Sequence, residues 1–398
     1  MQNVKSIEKE YLLLKIMTFF RYFGDCLFYG YLYLFLKSRN LDESTIGMVA
    51  ALTPLIALAS NPLWSHLSKN ANDNRKIMRI ITVLEGVAII LFTQVSGVEL
   101  IAIITILIAF VGSPFYSLHD GFIGTFAKTY KKDYAKIRYL GTIAYFTATI
   151  VAAVILNFSN SNYNILLYMS GIIFILISLF FIFIKPIDLS LTKGGEEVKR
   201  DYKAILKNKT FIIYMIVYFL VNTVSFAADN FVGLYFTEYH KLPDSEWSLI
   251  FASFLLAEFV TMLLLSTKFK KANPNILWVL ITILYPLRSL IFALDLQIEI
   301  TIVAASFRGF GYGMVLYANM KCVEKICGIE NVTAAFFIMA IFTAIIQAVS
   351  NFVFGNLIDS LGYQVFFFSV FVLGFIGMII NLIYQFKVKF SYDNINKI

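Results

Sequence analysis

Apolar residues run along the chain in blocks of about twenty, with polar residues gathered between the blocks rather than alternating inside them. This pattern predicts twelve spans, at about 11–37, 44–67, 77–96, 98–121, 139–158, 164–185, 210–236, 246–267, 276–294, 298–320, 331–354 and 364–386. A hydrocarbon core about 30 Å thick is crossed by about 20 helical residues. Lipid offers no partner to open backbone groups, so continuous runs of this length are expected as α-helices. The first run, Tyr11 to Leu36, is too long for a signal-peptide core and has no small-residue cleavage site behind it, so it is kept as a span. The expected fold class is all-α integral membrane.

Most connections between the blocks are short. The exception is Lys185 to Lys209, where Lys193, Gly194, Gly195, Glu196, Glu197, Lys199, Arg200 and Asp201 form a polar stretch with six spans on either side. The expected organisation is a six-helix half over 1–185, a cytoplasmic linker over 186–209 and a second six-helix half over 210–398.

Composition narrows the class further. Of 398 residues, 59% are hydrophobic and 15% charged, with a mean hydropathy of +0.76. Soluble domains are roughly 45–50% apolar and 25% charged, so no soluble globule fits this chain. The net charge of +8 is distributed unevenly. With the N-terminus inside, cytoplasmic loops hold Lys69, Arg75, Lys76, Arg79, Lys128, Lys131, Lys132, Lys136, Lys268, Lys270, Lys271, Lys387 and Lys389, and the opposite loops only Lys37, Arg39 and Lys241. That asymmetry places both termini in the cytoplasm of a cell-membrane protein, its basic residues beside anionic headgroups. The lipid bilayer therefore accounts for the basic balance, and no nucleic-acid partner is expected.

Cys26, Cys322 and Cys327 sit in or beside apolar runs without metal-ligand spacing, and read as small core residues. His66, His119 and His240 are too scattered for a metal site, and no nucleophile arrangement accompanies them. The expectation is no enzyme, no cofactor, no metal and no catalytic residue.

The informative residues are charges inside the spans: Arg21, Asp25, Glu85, Asp120 with His119, Arg138, Asp229, Glu258, Arg288 and Arg308. An ionised group at mid-bilayer costs about 2.5–3.5 kcal/mol on insertion scales, so such groups must line a wet cavity or pair. Arg21 and Asp25, four apart, can bridge each other or serve a substrate or proton. Glu85 stands alone in its span and reads as a packing or interface residue. Asp120 and Arg138, near span ends, can snorkel or act in binding. Glu258, Arg288 and Arg308 lie deeper and read as a buried network.

The segment DYAKIRYLGTIAY, Asp133 to Tyr145, is similar to the opening of the fifth span in the lactose permease branch of the major facilitator superfamily, the oligosaccharide/proton symporters. The twelve spans divided six and six are shared with the whole superfamily. In the permeases this segment's arginine pairs with a fourth-span carboxylate eighteen residues earlier, and both hold sugar hydroxyls. Those positions are Arg138 and Asp120 here, with Tyr145 where the sugar stacks on an aromatic ring. Glu258 and Arg288 match the permeases' eighth-span glutamate and ninth-span arginine, and FGNLIDSLGYQ, Phe354 to Gln364, resembles the segment before their last span.

Some positions depart from that pattern. The permeases' tenth-span histidine falls on Arg308 and their proton-carrying glutamate on Gly311. The loop after the second span has Ser65 and Lys69 in place of its Gly and Asp, keeping only Arg75 and Lys76 of its gating motif. The seventh span has the single acid Asp229, which leaves its charge partner open.

The resemblance implies secondary active transport by alternating access, with small-molecule substrate and protons as partners and a monomer as the working unit. An arginine with five fixed donors and a carboxylate with two acceptors together suit vicinal hydroxyls, as on a sugar or nucleoside, and a tyrosine face suits the apolar side of its ring. Asp120, Arg138, Tyr145, Glu258, Arg288 and Arg308 are the expected substrate residues. Glu258, set between Arg138 and Arg288, is the first candidate proton carrier, ahead of Asp25 and Asp229. Gly309, Gly311 and Gly313 are the expected packing or gating strip, with Arg75 and Lys76. The alternative is an exporter of drugs or organic anions, favoured by the four arginines, the missing proton-site glutamate and 40 phenylalanines. A non-transporting receptor or scaffold on the same fold is the third reading.

Overall fold

The structure, a computed structural model, describes residues 4–188 and 202–395. Among these residues there are helices and no strands. The polar residues Lys193 to Asp201 of the expected linker lie outside the described residues, as do the side chains of Lys387 and Lys389.

The first part of the chain forms α1 (Val4–Tyr29), α2 (Leu32–Ser38), α3 (Glu43–Leu67), α4 (Ala71–Phe92), α5 (Val98–Gly112), α6 (Phe115–Tyr130), α7 (Tyr134–Phe158) and α8 (Tyr163–Phe183). The second forms α9 (Tyr202–Lys207), α10 (Lys209–Tyr218), α11 (Val224–Leu234), α12 (Asp244–Thr267), α13 (Pro274–Ala293), α14 (Ile298–Ala305), α15 (Phe307–Cys327) and α16 (Val332–Ile395). By length and hydropathy, nine stretches among the described residues can cross a membrane. The α1–α2 and α4 spans fall short of that criterion because they carry charges. The last stretch contains two spans, joined at Gly362, whose φ of 81° interrupts α16. The chain thus supplies the twelve expected rods.

Several rods are interrupted where hydropathy is continuous. The first breaks at Gly30–Tyr31, the fourth at Ser113–Pro114 and the tenth at Ser306. The seventh contains two wide turns of π-helix, Phe219–Thr223 and Tyr235–Tyr239, on either side of α11. Part of the linker expected over 186–209 is itself helical, since α9 begins at Tyr202.

Polar side chains at the rod ends explain the short loops. The Asp42 side chain accepts from the Thr45 amide, Asn70 from Asn72 and Asp73, and Asp133 from Ala135 and Lys136. Each such cap satisfies amides that the first helical turn leaves without partners, and is worth about 1 kcal/mol.

The chain divides into two compact units, Met1–Glu196 with Leu242–Ala252, and Glu197–Lys241 with Ser253–Ile398. In the first, α4 meets α8 at a glycine pair. A Cβ on Gly86 would lie 2.6 Å from the Gly171 carbonyl, and one on Gly171 2.7 Å from that of Gly86. Small residues let backbones approach where lipid supplies no hydrophobic drive between helices. In the second unit, α13 packs against α15 and α16, and an aromatic and aliphatic core around Phe211, Trp278 and Tyr285 is closed to solvent.

Candidate functional site

Helices α1 and α4 both pack on α8, and three charges from the two meet between them. The Arg21 guanidinium grips Glu85 with two hydrogen bonds, Nη1 to Oε2 at 2.5 Å and Nη2 to Oε1 at 3.1 Å. Arg21 also reaches Asp25, one turn further along α1, at 3.1 Å. All three side chains have 0% exposure. The Tyr29 hydroxyl donates to Glu85 at 3.3 Å, and the rings of Phe174 and Phe115 lie 3.9 and 4.2 Å from the guanidinium carbon. Glu85 is therefore no solitary packing residue. It is the principal partner of Arg21, because α4 turns it toward α1 where the sequence alone shows only its own helix.

A second pair in the same unit is wetter. Arg138 and Asp120 approach to 3.6 Å with side chains 41% and 40% exposed. The Asp133 cap starts α7 five residues before Arg138 and so fixes its height on the helix. Arg138 lies over the Tyr22 ring at 4.7 Å, and Tyr145 sits 6.2 Å from that ring. Buried His119 stacks on Phe115, contacts Thr18 at 3.0 Å and lies 3.8 Å from Asp120. The arrangement offers donors, acceptors and aromatic faces within one patch.

The second unit carries a chain of four charges. Arg288 pairs with one oxygen of Asp229, and Arg308 with the other at 3.1 Å. Arg308 extends the chain to Glu258 at 3.2 Å. Arg288 lies 5.0 Å from Phe292, and Arg308 lies 4.8 Å from Tyr312 and 5.6 Å from Phe226. Asp229, left without an assigned partner by the sequence, holds both arginines. Arg308 is the partner of Glu258 that the expected placement between Arg138 and Arg288 left out.

The glycines of α15 mark close contacts inside the second unit. A Cβ on Gly309 would meet the Phe254 carbonyl oxygen at 2.0 Å, one on Gly311 the Tyr285 ring at 2.1 Å, and one on Gly313 the Thr261 Cβ at 2.8 Å. In the first unit, Arg75 donates to the carbonyls of Ile184 and Phe181, where a cation suits the C-terminal end of α8. Lys76 is exposed and lies 3.7 Å from Asp73. Cys26 and Cys322 are buried, and Cys327 partly so. No cluster of metal-ligating side chains occurs among the described residues.

Sequence reasoning passed over Tyr22, Tyr29, Phe226 and Tyr312, which line these charges. A usable signal was there, since each lies within four residues of a span charge on its own helix. The wide turns had no such signal.

Apolar rods of this number and length, with buried and paired charges, define a multi-pass membrane protein. The chain belongs to the MFS_1 like family, which it matches over residues 11–371, and with it to the major facilitator superfamily of transporters, which are not enzymes. It is similar to the uncharacterized transporter YwbF of Bacillus subtilis (strain 168), with 22% identity over 237 residues. That match spans 59% of this chain and 58% of that protein, little more than half of either. The fold is similar to that of a point mutant of the nucleoside transporter NupG, with a TM-score of 0.82 and 16% identity over 94% of this chain and 99% of the other. It is also similar to a bacterial homolog of the human lysosomal transporter Spinster, inward-facing and occupied, with a TM-score of 0.71 and 11% identity over 94% and 96% of the two chains. These likenesses establish the major facilitator fold, twelve transmembrane helices in two sets of six.

Proposed function

We propose that this transporter takes up a small, uncharged polar solute, a sugar, oligosaccharide or nucleoside, together with protons, by alternating access. The observation that carries this reading is the pairing of its arginines. Arg21, Arg138, Arg288 and Arg308 each have a carboxylate partner, and five carboxylates face the four cations. Among the described residues these four arginines leave no excess positive charge, which counts against an organic anion as the substrate. The wettest of these pairs, Asp120 and Arg138, keeps hydroxyl-binding groups beside the faces of Tyr22 and Tyr145. The structural neighbour NupG is a nucleoside transporter, which favours nucleosides within this class.

In this reading Asp120, Arg138 and Tyr145 from the half over 1–185, and Glu258, Arg288 and Arg308 from the half over 210–398, bind the solute. Asp25, Asp229 and Glu258 are the candidate proton carriers. The strip Gly309, Gly311 and Gly313 serves helix movement. The protein works as a monomer in the cell membrane, with both termini in the cytoplasm, as the distribution of lysine and arginine supports.

The test is uptake of radiolabelled sugars, nucleosides and aromatic acids into proteoliposomes under an imposed pH gradient, with Arg138→Ala and Glu258→Gln alongside. Accumulation of a neutral solute that both variants lose is the expected result. Movement of anions or lipophilic drugs alone, or a silent Arg138→Ala, would overturn it.

A further inference from the structure

The departure of this chain from the permease proton site leaves open which group carries the proton, and the buried charges of the first unit bear on that question. Resting on the proton-coupled reading above, we propose that Asp25 holds the coupling proton, while Glu85 remains the fixed counter-ion of Arg21.

The argument begins with charge. Arg21 faces two carboxylates, and all three side chains have 0% exposure. An uncompensated charge far from water is among the most costly arrangements a protein can hold, and a proton removes it. The four charges of the second unit, two arginines with two carboxylates, have no such surplus. Arg138 also faces Asp25, but it is already paired with Asp120 and leaves the balance unchanged. The other titratable groups facing Asp25 are Tyr116 on α6, Tyr145 on α7, and Tyr22, Cys26 and Tyr29 on α1. Buried His119 on α6 is held at Thr18. None of these adds a fixed positive charge.

Geometry then separates the two carboxylates. Glu85 has both oxygens on the guanidinium and a third bond from Tyr29, the bidentate arrangement that favours an ionised acid. Asp25 touches Arg21 at a single 3.1 Å contact, neither of its oxygens accepts a hydrogen bond of good geometry, and Tyr116 beside it is a neutral hydroxyl. The proton belongs on the acid with fewer donors. Its position on α1, one turn from Arg21 and one residue before Cys26, keeps it dry in this state. Release requires a state in which α1 meets water, which is what an alternating cycle supplies.

The experiment has two arms on the full-length protein. In proteoliposomes with a gradient of about one pH unit, one proton per solute sustains about tenfold accumulation. Asp25→Asn is expected to lower that ratio to about one while still exchanging labelled for unlabelled solute, because asparagine mimics the protonated acid. Independently, dicyclohexylcarbodiimide adds to a protonated carboxyl in an apolar setting and not to a carboxylate. Peptide mass mapping is expected to find the adduct on Asp25, absent from Glu85 and lost as pH rises. Full accumulation by Asp25→Asn, or an adduct on Glu85 in place of Asp25, overturns the assignment. A wild type that accumulates no solute under the gradient overturns the symport reading instead, and the labelling arm still decides where the proton sits.

Discussion

Gly112 and Glu85 share one small space: a Cβ built on Gly112 at the end of α5 would lie 2.3 Å from Oε1 of Glu85 and 3.1 Å from the Tyr29 hydroxyl. The missing side chain on one helix is what admits the carboxylate of another. Gly112→Ala is therefore expected to push Glu85 off Arg21 and destabilise the protein by about 1–3 kcal/mol, the usual range for overpacking. Adding Glu85→Asp, which withdraws the carboxylate by one methylene, should recover part of the loss. Thermal unfolding of the detergent-solubilised single and double variants measures both effects, and additive losses would sink the idea.

Arg308 joins Asp229 to Glu258, so removing it strips a counter-ion from both acids. Breaking a buried ion pair from one side costs about 3–5 kcal/mol, most of it from the charge left behind. Arg308→Ala should be the more damaging change, and Arg308→Ala with Glu258→Gln should be milder than Arg308→Ala alone. A double variant no more stable than the single one would show that Glu258 does not depend on Arg308.

The α15 glycines predict a sharp positional contrast. Gly309→Ala drives a methyl group into the Phe254 carbonyl, whereas a Cβ on Gly124 in α6 meets nothing within 4 Å. Transport by Gly309→Ala should fall steeply, and Gly124→Ala should match the wild type in uptake. Equal activity of the two would remove the close contact from the transport cycle.

His240, beyond the second wide turn, lies 3.6 Å from Asp295 with the Tyr235 ring edge-on at 4.6 Å. Burial pushes its imidazole below the ordinary value, outweighing the opposing pull of Asp295. The folded state therefore prefers the neutral ring. Its contribution to stability is complete above the unfolded value of about 6.5 and declines as pH falls through the lowered folded value. Melting temperature measured from neutral to mildly acidic pH should drop less for His240→Asn than for the wild type, and parallel curves would rule this residue out.

Within the seventh span, deletion of Leu220 from the wide turn Phe219–Thr223 offers a register test. It should restore an ordinary α-turn and leave Asp229 on the same bearing toward Arg288 and Arg308, because the wide turn takes up one residue without adding rotation, so the loss of stability should be well below that of removing the acid. A deletion variant as unstable as Asp229→Ala would contradict this.

The twelve spans were legible because membrane thickness fixes the length of an apolar run, and nothing about the fold needs to be known to count such runs. Their ends were less so. The third rod starts at Ala71, the fifth at Tyr134, and the fourth continues to Tyr130, because charged and Asx-capped turns carry these helices beyond their apolar runs. Among the charges, Arg21 and Asp25 could be paired from spacing alone, since four residues bring side chains onto one face of a helix. Arg138 with Asp120 followed from resemblance. The grip of Arg21 on Glu85 could be read from neither, because it depends on which face α4 presents. That face is set by the Gly86 contact with Gly171, itself a matter of packing between distant parts of the chain.

The wide turns have a consequence for where the charge of the seventh span is delivered. A turn of this kind holds one residue more than an α-turn, and one residue is worth about 100° of rotation about the helix axis. Asp229 and Phe226 stand beyond the first of these turns, so they point about 100° short of where an unbroken α-helix of the same residues would carry them. The same letters threaded through an unbroken α-helix would send the lone carboxylate to another bearing. Its address is written in the phase of the backbone hydrogen bonds, a quantity that hydropathy does not record.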